Sequence, residues 1–322
     1  MEKYSGLKIV VVGGGTGLST MLRGLKKYTD NITAIVTVAD DGGGSGVLRD
    51  DLGILPPGDI RNCILALAET EPLMEKLLSY RFSEGYLSGQ SFGNLFLAAM
   101  NGICGNFEEA VKNVSDVLKV SGTVLPVTLE DVHINAHLWD GSVIKGECNI
   151  PKGLKMGSRR IKRIELVPEF AEILPDAKKA IEEADLIILG PGSVYTSVIP
   201  NLIVKGVTEA IISATAPVVY VCNIMTQPGE SDEMTAFEHV KAIYNHSRKG
   251  IIDMCIANVQ KLDENLLESY RLENSAPVYV DEEEFENDGI RLIKGNFVSV
   301  KDGKYIRHNY DALAKTIIEE CM

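Results

Sequence analysis

Short apolar runs alternate with amphipathic stretches along most of the chain. Residues 7–12 form an apolar run that stops at a glycine, the pattern of a parallel strand buried on both faces. Residues 16–28 follow with Leu18, Met21, Leu22 and Leu25 at helical spacing. Residues 33–39 are again strand-like and rich in β-branched side chains. The chain therefore opens β–α–β, with a right-handed crossover. A glycine- and aspartate-rich loop is expected over residues 40–57, then helices over 59–68, 73–80, 92–103 and 107–118. Residues 124–150 change character. They are β-rich and alternating, and Trp139-Asp140-Gly141-Ser142 reads as a hairpin turn.

The α/β alternation then resumes, with strands expected at 164–167, 185–189, 217–222 and 254–257 and helices at 176–183, 234–247 and 264–271. Short strands around Val278, Phe297 and Tyr305 and a helix over 310–320 close the chain. No internal repeat or linker interrupts it. The expected fold class is α/β: a doubly wound, mainly parallel Rossmann-like sheet with a helical insertion and a β-hairpin excursion. It is expected as one domain over residues 1–322, with the excursion at about 124–170.

Composition narrows the function classes. The 322 residues are 45% hydrophobic and 24% charged, which excludes a disordered chain. With 32 basic and 45 acidic residues the net charge is −13, so neither nucleic acid nor an anionic membrane is an expected partner. No apolar run approaches the roughly 20 residues that span a bilayer. The first eight residues are polar and lack the apolar centre of a signal peptide. The six cysteines form no C-x-x-C pair, which favours reduced, packed thiols in a cytoplasmic protein. His133 and His137 stand four apart without a third ligand, and are assigned to an extended segment, not to zinc.

Three glycine-rich loops fall at or beside strand ends, where open parallel sheets bind ligands. The first is Gly13-Gly14-Gly15-Thr16-Gly17. Glycine lets backbone approach an anion, and the helix that follows offers free N–H groups and a positive dipole end. Leu18 stands where a dinucleotide fingerprint has its third glycine, and no P-loop lysine follows. The second is Asp40-Asp41-Gly42-Gly43-Gly44-Ser45-Gly46, whose paired carboxylates are candidate Mg²⁺ ligands or ribose acceptors. It leads to Pro57-Gly58-Asp59, with Arg61 and Asn62 beyond. Asp59 is either a site residue or a helix N-cap. The third is Gly190-Pro191-Gly192-Ser193-Val194-Tyr195-Thr196-Ser197, whose amides and hydroxyls suit phosphate or ribose. Ser91-Phe92-Gly93-Asn94 is a weaker element in which Ser91 reads as a helix cap. Nothing resembles a nucleophile elbow, H-E-x-x-H or kinase motif. The loops describe binding apparatus for a phosphorylated or nucleotide ligand and leave the reaction unspecified.

In this order, these motifs resemble the YvcK branch of the CofD-like family, the gluconeogenesis factors, over nearly the whole chain. The resemblance implies a cytoplasmic protein that binds uridine-diphospho-sugars and supports cell shape and growth on gluconeogenic carbon sources. Cousins in the same family are Mg²⁺-dependent 2-phospho-lactate transferases that use a guanosine-diphosphate-linked donor, so a transferase is the alternative function. A nicotinamide oxidoreductase is a third, supported only by the β–α–β opening and an acid after the second strand. The resemblance also carries Tyr270 and Arg307 into the expected site. A tyrosine there suits stacking on a base and an arginine suits pairing with diphosphate. The full expected set is Gly13, Gly14, Gly15, Thr16, Gly17, Asp40, Asp41, Ser45, Asp59, Asn62, Asn94, Gly190, Gly192, Ser193, Tyr195, Ser197, Tyr270 and Arg307. Catalytic residues are not assigned.

One basic stretch stands out in this acidic chain. Residues 151–163 hold Lys152, Lys155, Arg159, Arg160, Lys162 and Arg163 and no acid. It is either a solvated loop or a segment that approaches the ligand's phosphates or an acidic patch on a neighbouring subunit of a homo-oligomer.

Overall fold

A computed structural model describes residues 4, 6–154 and 160–322. Seven parallel strands make the central sheet: β1 (Ile9–Gly13), β2 (Ile32–Val36), β3 (Thr123–Pro126), then β7 (Leu186–Leu189), β8 (Val218–Val221), β9 (Met254–Asn258) and β10 (Arg291–Gly295). Their order is β10-β9-β8-β7-β1-β2-β3. Between β3 and β7 in sequence, β4 (His133–Leu138), β5 (Val143–Lys145) and β6 (Ile161–Val167) form a separate antiparallel sheet, and β11 (Val298–Lys301) and β12 (Tyr305–His308) form a hairpin near the end. The Rossmann-like α/β expectation is met.

Every residue of β1, β7 and β8 is buried, because helices cover both faces and no side chain can point to water. Strand β10 is only partly buried, with Arg291 and Lys294 exposed and Ile293 buried, as suits the edge of a sheet. Its two charged residues hid it from the expected elements, and a run of acids hid the short helix Glu282–Asp288 before it. Val278 lies outside any strand, its N–H bonded to the Ile224 carbonyl.

The helix Gly15–Leu25 buries Leu18, Met21, Leu22 and Leu25. It packs on Gly58–Leu67 and on the closing helix Tyr310–Glu320. The expected long loop over 40–57 is corrected: it contains the helix Gly43–Leu52. Glycine disfavours helix, but packing supplies what propensity lacks. Leu48 meets Ile54 and Ala98 in a small apolar cluster. Arg49 is buried and donates to the carbonyls of Asp40 and Val132 while pairing with Asp131.

The turn at residues 139–142 joins β4 to β5 as a hairpin. His246 Nε2 accepts the Ile164 N–H at 2.7 Å and ties this second sheet to the helix Ala236–His246. Its members, His133 and His137, are strand residues, and His137 bonds Glu165 at 2.6 Å. All six cysteines are free thiols. Among the described residues, no helix is long and apolar enough to cross a membrane.

Candidate functional site

The strand order places β1 and β7 side by side, with the chain winding away from them in opposite directions. A crevice opens outside the carboxyl ends of such a strand pair. The loop after β1 is 13–17 and the loop after β7 is 190–197, so both glycine-rich motifs meet at that crevice. They pack closely. A Cβ on Gly17 would stand 2.7 Å from the Pro191 carbonyl oxygen, and Gly15 sits at φ +71°. Asn201 Nδ2 bridges the loops, donating to the Gly13 carbonyl at 3.1 Å and the Ser197 carbonyl at 2.7 Å.

The resulting cleft holds about 450 Å³. Gly15, Thr16 and Gly17 line one wall, and Gly192, Ser193 and Ser197 another. The β11–β12 hairpin folds back to bring Arg307 and the buried His308 to its rim, and Tyr270 joins them from the helix Glu264–Leu272. The Tyr270 hydroxyl accepts the Ile306 N–H at 2.8 Å, so this side chain also fixes the strand that carries Arg307. Burial pushes the His308 imidazole down to about 4, leaving it neutral. A groove of about 470 Å³ at the amino ends of the strands, beside Lys8 and Asp30, carries none of these loops.

Carboxylates crowd one side. Asp59 Oδ2 accepts the Gly15 N–H. Burial raises Asp59 to about 6 against the opposing pull of that amide. Asp40 accepts the Gly42 N–H at 2.9 Å and is raised by burial, with the buried Ser45 hydroxyl bonded to it. Asp41 accepts the N–H groups of Glu147 and Cys148 at 3.1 and 2.8 Å. It thereby pins the turn Glu147–Asn149 of the hairpin region against the second loop. Glu147 then lines the cleft, and burial, with Asp40, Glu230, Asp41 and Asp59 behind it, raises it to about 8. Glu230 accepts hydrogen bonds from the Ser193 and Thr196 hydroxyls and is raised by burial.

Most of the expected residues converge, directly or one layer behind. Gly13, Gly14 and Gly190 are the backbone under the cleft; a Cβ on Gly14 would meet Asp59 and Thr37, both at 2.8 Å. Asn62 and Asn94 lie behind the second loop. Asn62 Oδ1 accepts from Arg61, whose guanidinium also donates to Ser91 Oγ at 2.5 Å. Asn94 is buried with its Oδ1 unpartnered, and its N–H is capped by Ser91 as expected of a helix start. Tyr195 does not line this cleft. It faces a neighbouring one, edge-on to His246 at 6.2 Å, and burial raises its phenol to about 12. Of the basic stretch, Lys155 and Arg159 lie outside the described residues. Arg160 stands 3.7 Å from both Glu233 and Glu238, Arg163 pairs with Glu165, and Lys162 stands over the Trp139 ring. Those acids belong to the same chain.

Glu147, Glu230 and Asn223 are cleft residues that the motif search missed. Glu230 follows β8 in the turn Gln227-Pro228-Gly229-Glu230, so the strand-end rule applied to a third strand points to it. Glu147 carries no local signal. Among the described residues, no three His, Cys, Asp or Glu side chains are placed to hold a metal ion by themselves.

The family described as 2-phospho-L-lactate transferase CofD matches residues 9–298. A Thermoanaerobacterium thermosulfurigenes relative is 58% identical over 314 residues, 98% of this chain and 97% of its own. The Bacillus subtilis protein named gluconeogenesis factor is 47% identical over 313 residues, 97% of each chain. A crystal structure from Bacillus halodurans superposes with a TM-score of 0.93 at 44% identity, covering 99% of this chain and 100% of the other. The glycine-rich loops at the β1/β7 crevice and these end-to-end matches lead to one placement: the chain belongs to the CofD family, in its gluconeogenesis-factor branch.

Proposed function

We propose that the cleft binds a nucleoside diphosphate-linked sugar, a uridine-diphospho-sugar, and that the chain acts as a cytoplasmic regulatory binding protein. The observation that carries this reading is the meeting of a helix N-terminus, two glycine-rich loops and Arg307 around one cleft. The exposed amides suit phosphate oxygens and the guanidinium suits a diphosphate. The cellular output attached to this reading is growth and cell shape on gluconeogenic carbon sources. Calorimetric titration tests it: a uridine-diphospho-sugar binds in the micromolar range or tighter and NAD does not. Binding of NAD alone would sink it.

A Mg²⁺ ion held beside the cleft belongs to the same proposal. Burial is the largest cause that raises Glu147, and the negative charge of Asp40, Glu230, Asp41 and Asp59 around it adds to the shift. Two carboxylates with phosphate oxygens and water make a suitable shell for this ion. Asp40 and Asp41, which stand behind the cleft lining with the Asp41 oxygens also accepting the Glu147 and Cys148 N–H groups, would hold it, and the bound ion would offset the charge of the diphosphate.

A second reading, a transferase acting on a nucleotide-diphosphate-linked donor, has its own support. Glu147, raised to about 8, faces the ligand cleft and suits proton transfer near neutral pH, and Glu230, also raised by burial, lines the cleft beside it. Release of nucleotide from a labelled donor in the presence of Mg²⁺ distinguishes the two readings.

A further inference from the structure

A second cleft of about 660 Å³ opens beside the first, and the two share Thr226, Glu230 and Ser275 as lining. Its floor is aromatic: Tyr195 is buried there, and Trp139, the sole tryptophan of the chain, is 69% exposed at its edge. Its walls carry carboxylates and amides, namely Asp232, Glu233, Glu238, Asn245 and Asn274. Four cations also reach it, and each is engaged within the chain. Arg160 stands near Glu233 and Glu238, Arg271 pairs with Glu264 at 2.8 Å, Lys241 with Glu284 at 3.5 Å, and Lys162 covers Trp139 at 5.3 Å.

We propose that this second cleft receives the sugar that the diphosphate carries, with the ring face of Trp139 that Lys162 leaves uncovered as its stacking platform. The inference rests on the nucleotide-diphosphate reading of the first cleft. A second anionic group is disfavoured because three of the four cations already stand near acids and the fourth, Lys162, rests over an aromatic ring. A base is a poorer match than a sugar. Uracil offers a single N–H donor, whereas the cleft is rich in acceptors. Sugar hydroxyls supply many donors, and the C–H face of a pyranose suits an amphipathic aromatic ring. The shared wall supplies continuity. A group linked to the diphosphate passes Glu230, which touches both clefts, on its way from the helix N-terminus to Trp139.

The single tryptophan makes the test direct. The intact protein is titrated by calorimetry and by tryptophan emission with UDP, UDP-glucose, UDP-galactose and UDP-N-acetylglucosamine. At least one of the sugars binds tenfold or more tightly than UDP and changes the emission, while UDP binds with the emission unchanged. Trp139→Ala, at an exposed position, and Asn245→Ala each lower the affinity for that sugar nucleotide toward the affinity for UDP. Equal affinity for UDP and all three sugars, or an emission change with UDP as large as with the sugars, overturns the second-cleft assignment and leaves the nucleotide reading standing. Failure of UDP and all three sugars to bind overturns the nucleotide reading, and this assignment with it.

Discussion

Asp59 Oδ2 accepts the Gly15 N–H at 2.5 Å, so a carboxylate from the second motif occupies the helix N-terminus that the first motif opens. A phosphate arriving at that terminus meets a negative charge already in place. Asp59→Asn keeps an acceptor for the amide and removes the charge, so stability is expected to change by no more than about 1 kcal/mol. Wild-type affinity for UDP should rise with Mg²⁺, and the variant should lose most of that dependence. Calorimetric titrations with Mg²⁺ and with chelator check it; identical wild-type affinities in both would rule out this coupling.

Arg307→Ala removes charge-assisted bonds to diphosphate, expected to weaken binding roughly ten- to a hundredfold. Tyr270→Phe removes only the hydroxyl that accepts the Ile306 N–H. It should cost about 1 kcal/mol of stability and a smaller loss of affinity, because Arg307 is then less firmly placed. Thermal denaturation and titration of both variants separate the roles. A Tyr270→Phe variant that binds more weakly than Arg307→Ala would show direct ligand contact by the hydroxyl instead.

Gly17→Ala tests the seam between the loops. Its Cβ would sit 2.7 Å from the Pro191 carbonyl oxygen, which is backbone and cannot swing away. The expected cost is about 1–3 kcal/mol, with weaker ligand binding in whatever fraction folds. Chemical denaturation measures the first and titration the second. Wild-type stability would mean that the seam has slack.

Glu147 carries a pH dependence. Its carboxyl rises from 4.5 to about 8, with burial the largest cause. The folded chain therefore holds this proton more tightly than the unfolded chain does. The stabilising contribution is complete below about 4.5 and is lost as the pH rises through about 8. Glu147→Gln, measured without metal or ligand, should melt higher than wild type above pH 8 and not below pH 4.5. Parallel melting curves across that range would show that Glu147 titrates normally.

The sequence by itself determined the strands whose both faces are buried and the helices whose apolar stripe is regular. β1, β7 and the helix Gly15–Leu25 are in this group, because burial on known faces leaves a local periodic mark. It also marked the loops at 13–17 and 190–197, because glycines beside strand ends are local features too. The helix inside the glycine-rich segment 40–57 was not legible, since Leu48 and Arg49 are stabilised by partners far along the chain, Ala98 and Val132. Nor was Glu147, which enters the cleft only because Asp41 grips its backbone from 106 residues away. Tyr195 belongs in sequence to the third loop, yet it turns toward the second cleft because the short helical turn Val194–Val198 rotates successive side chains to different faces. Only the tertiary structure decided which acids share a field, because charge acts through space and is set by distance, whereas a sequence pattern records only neighbours along the chain.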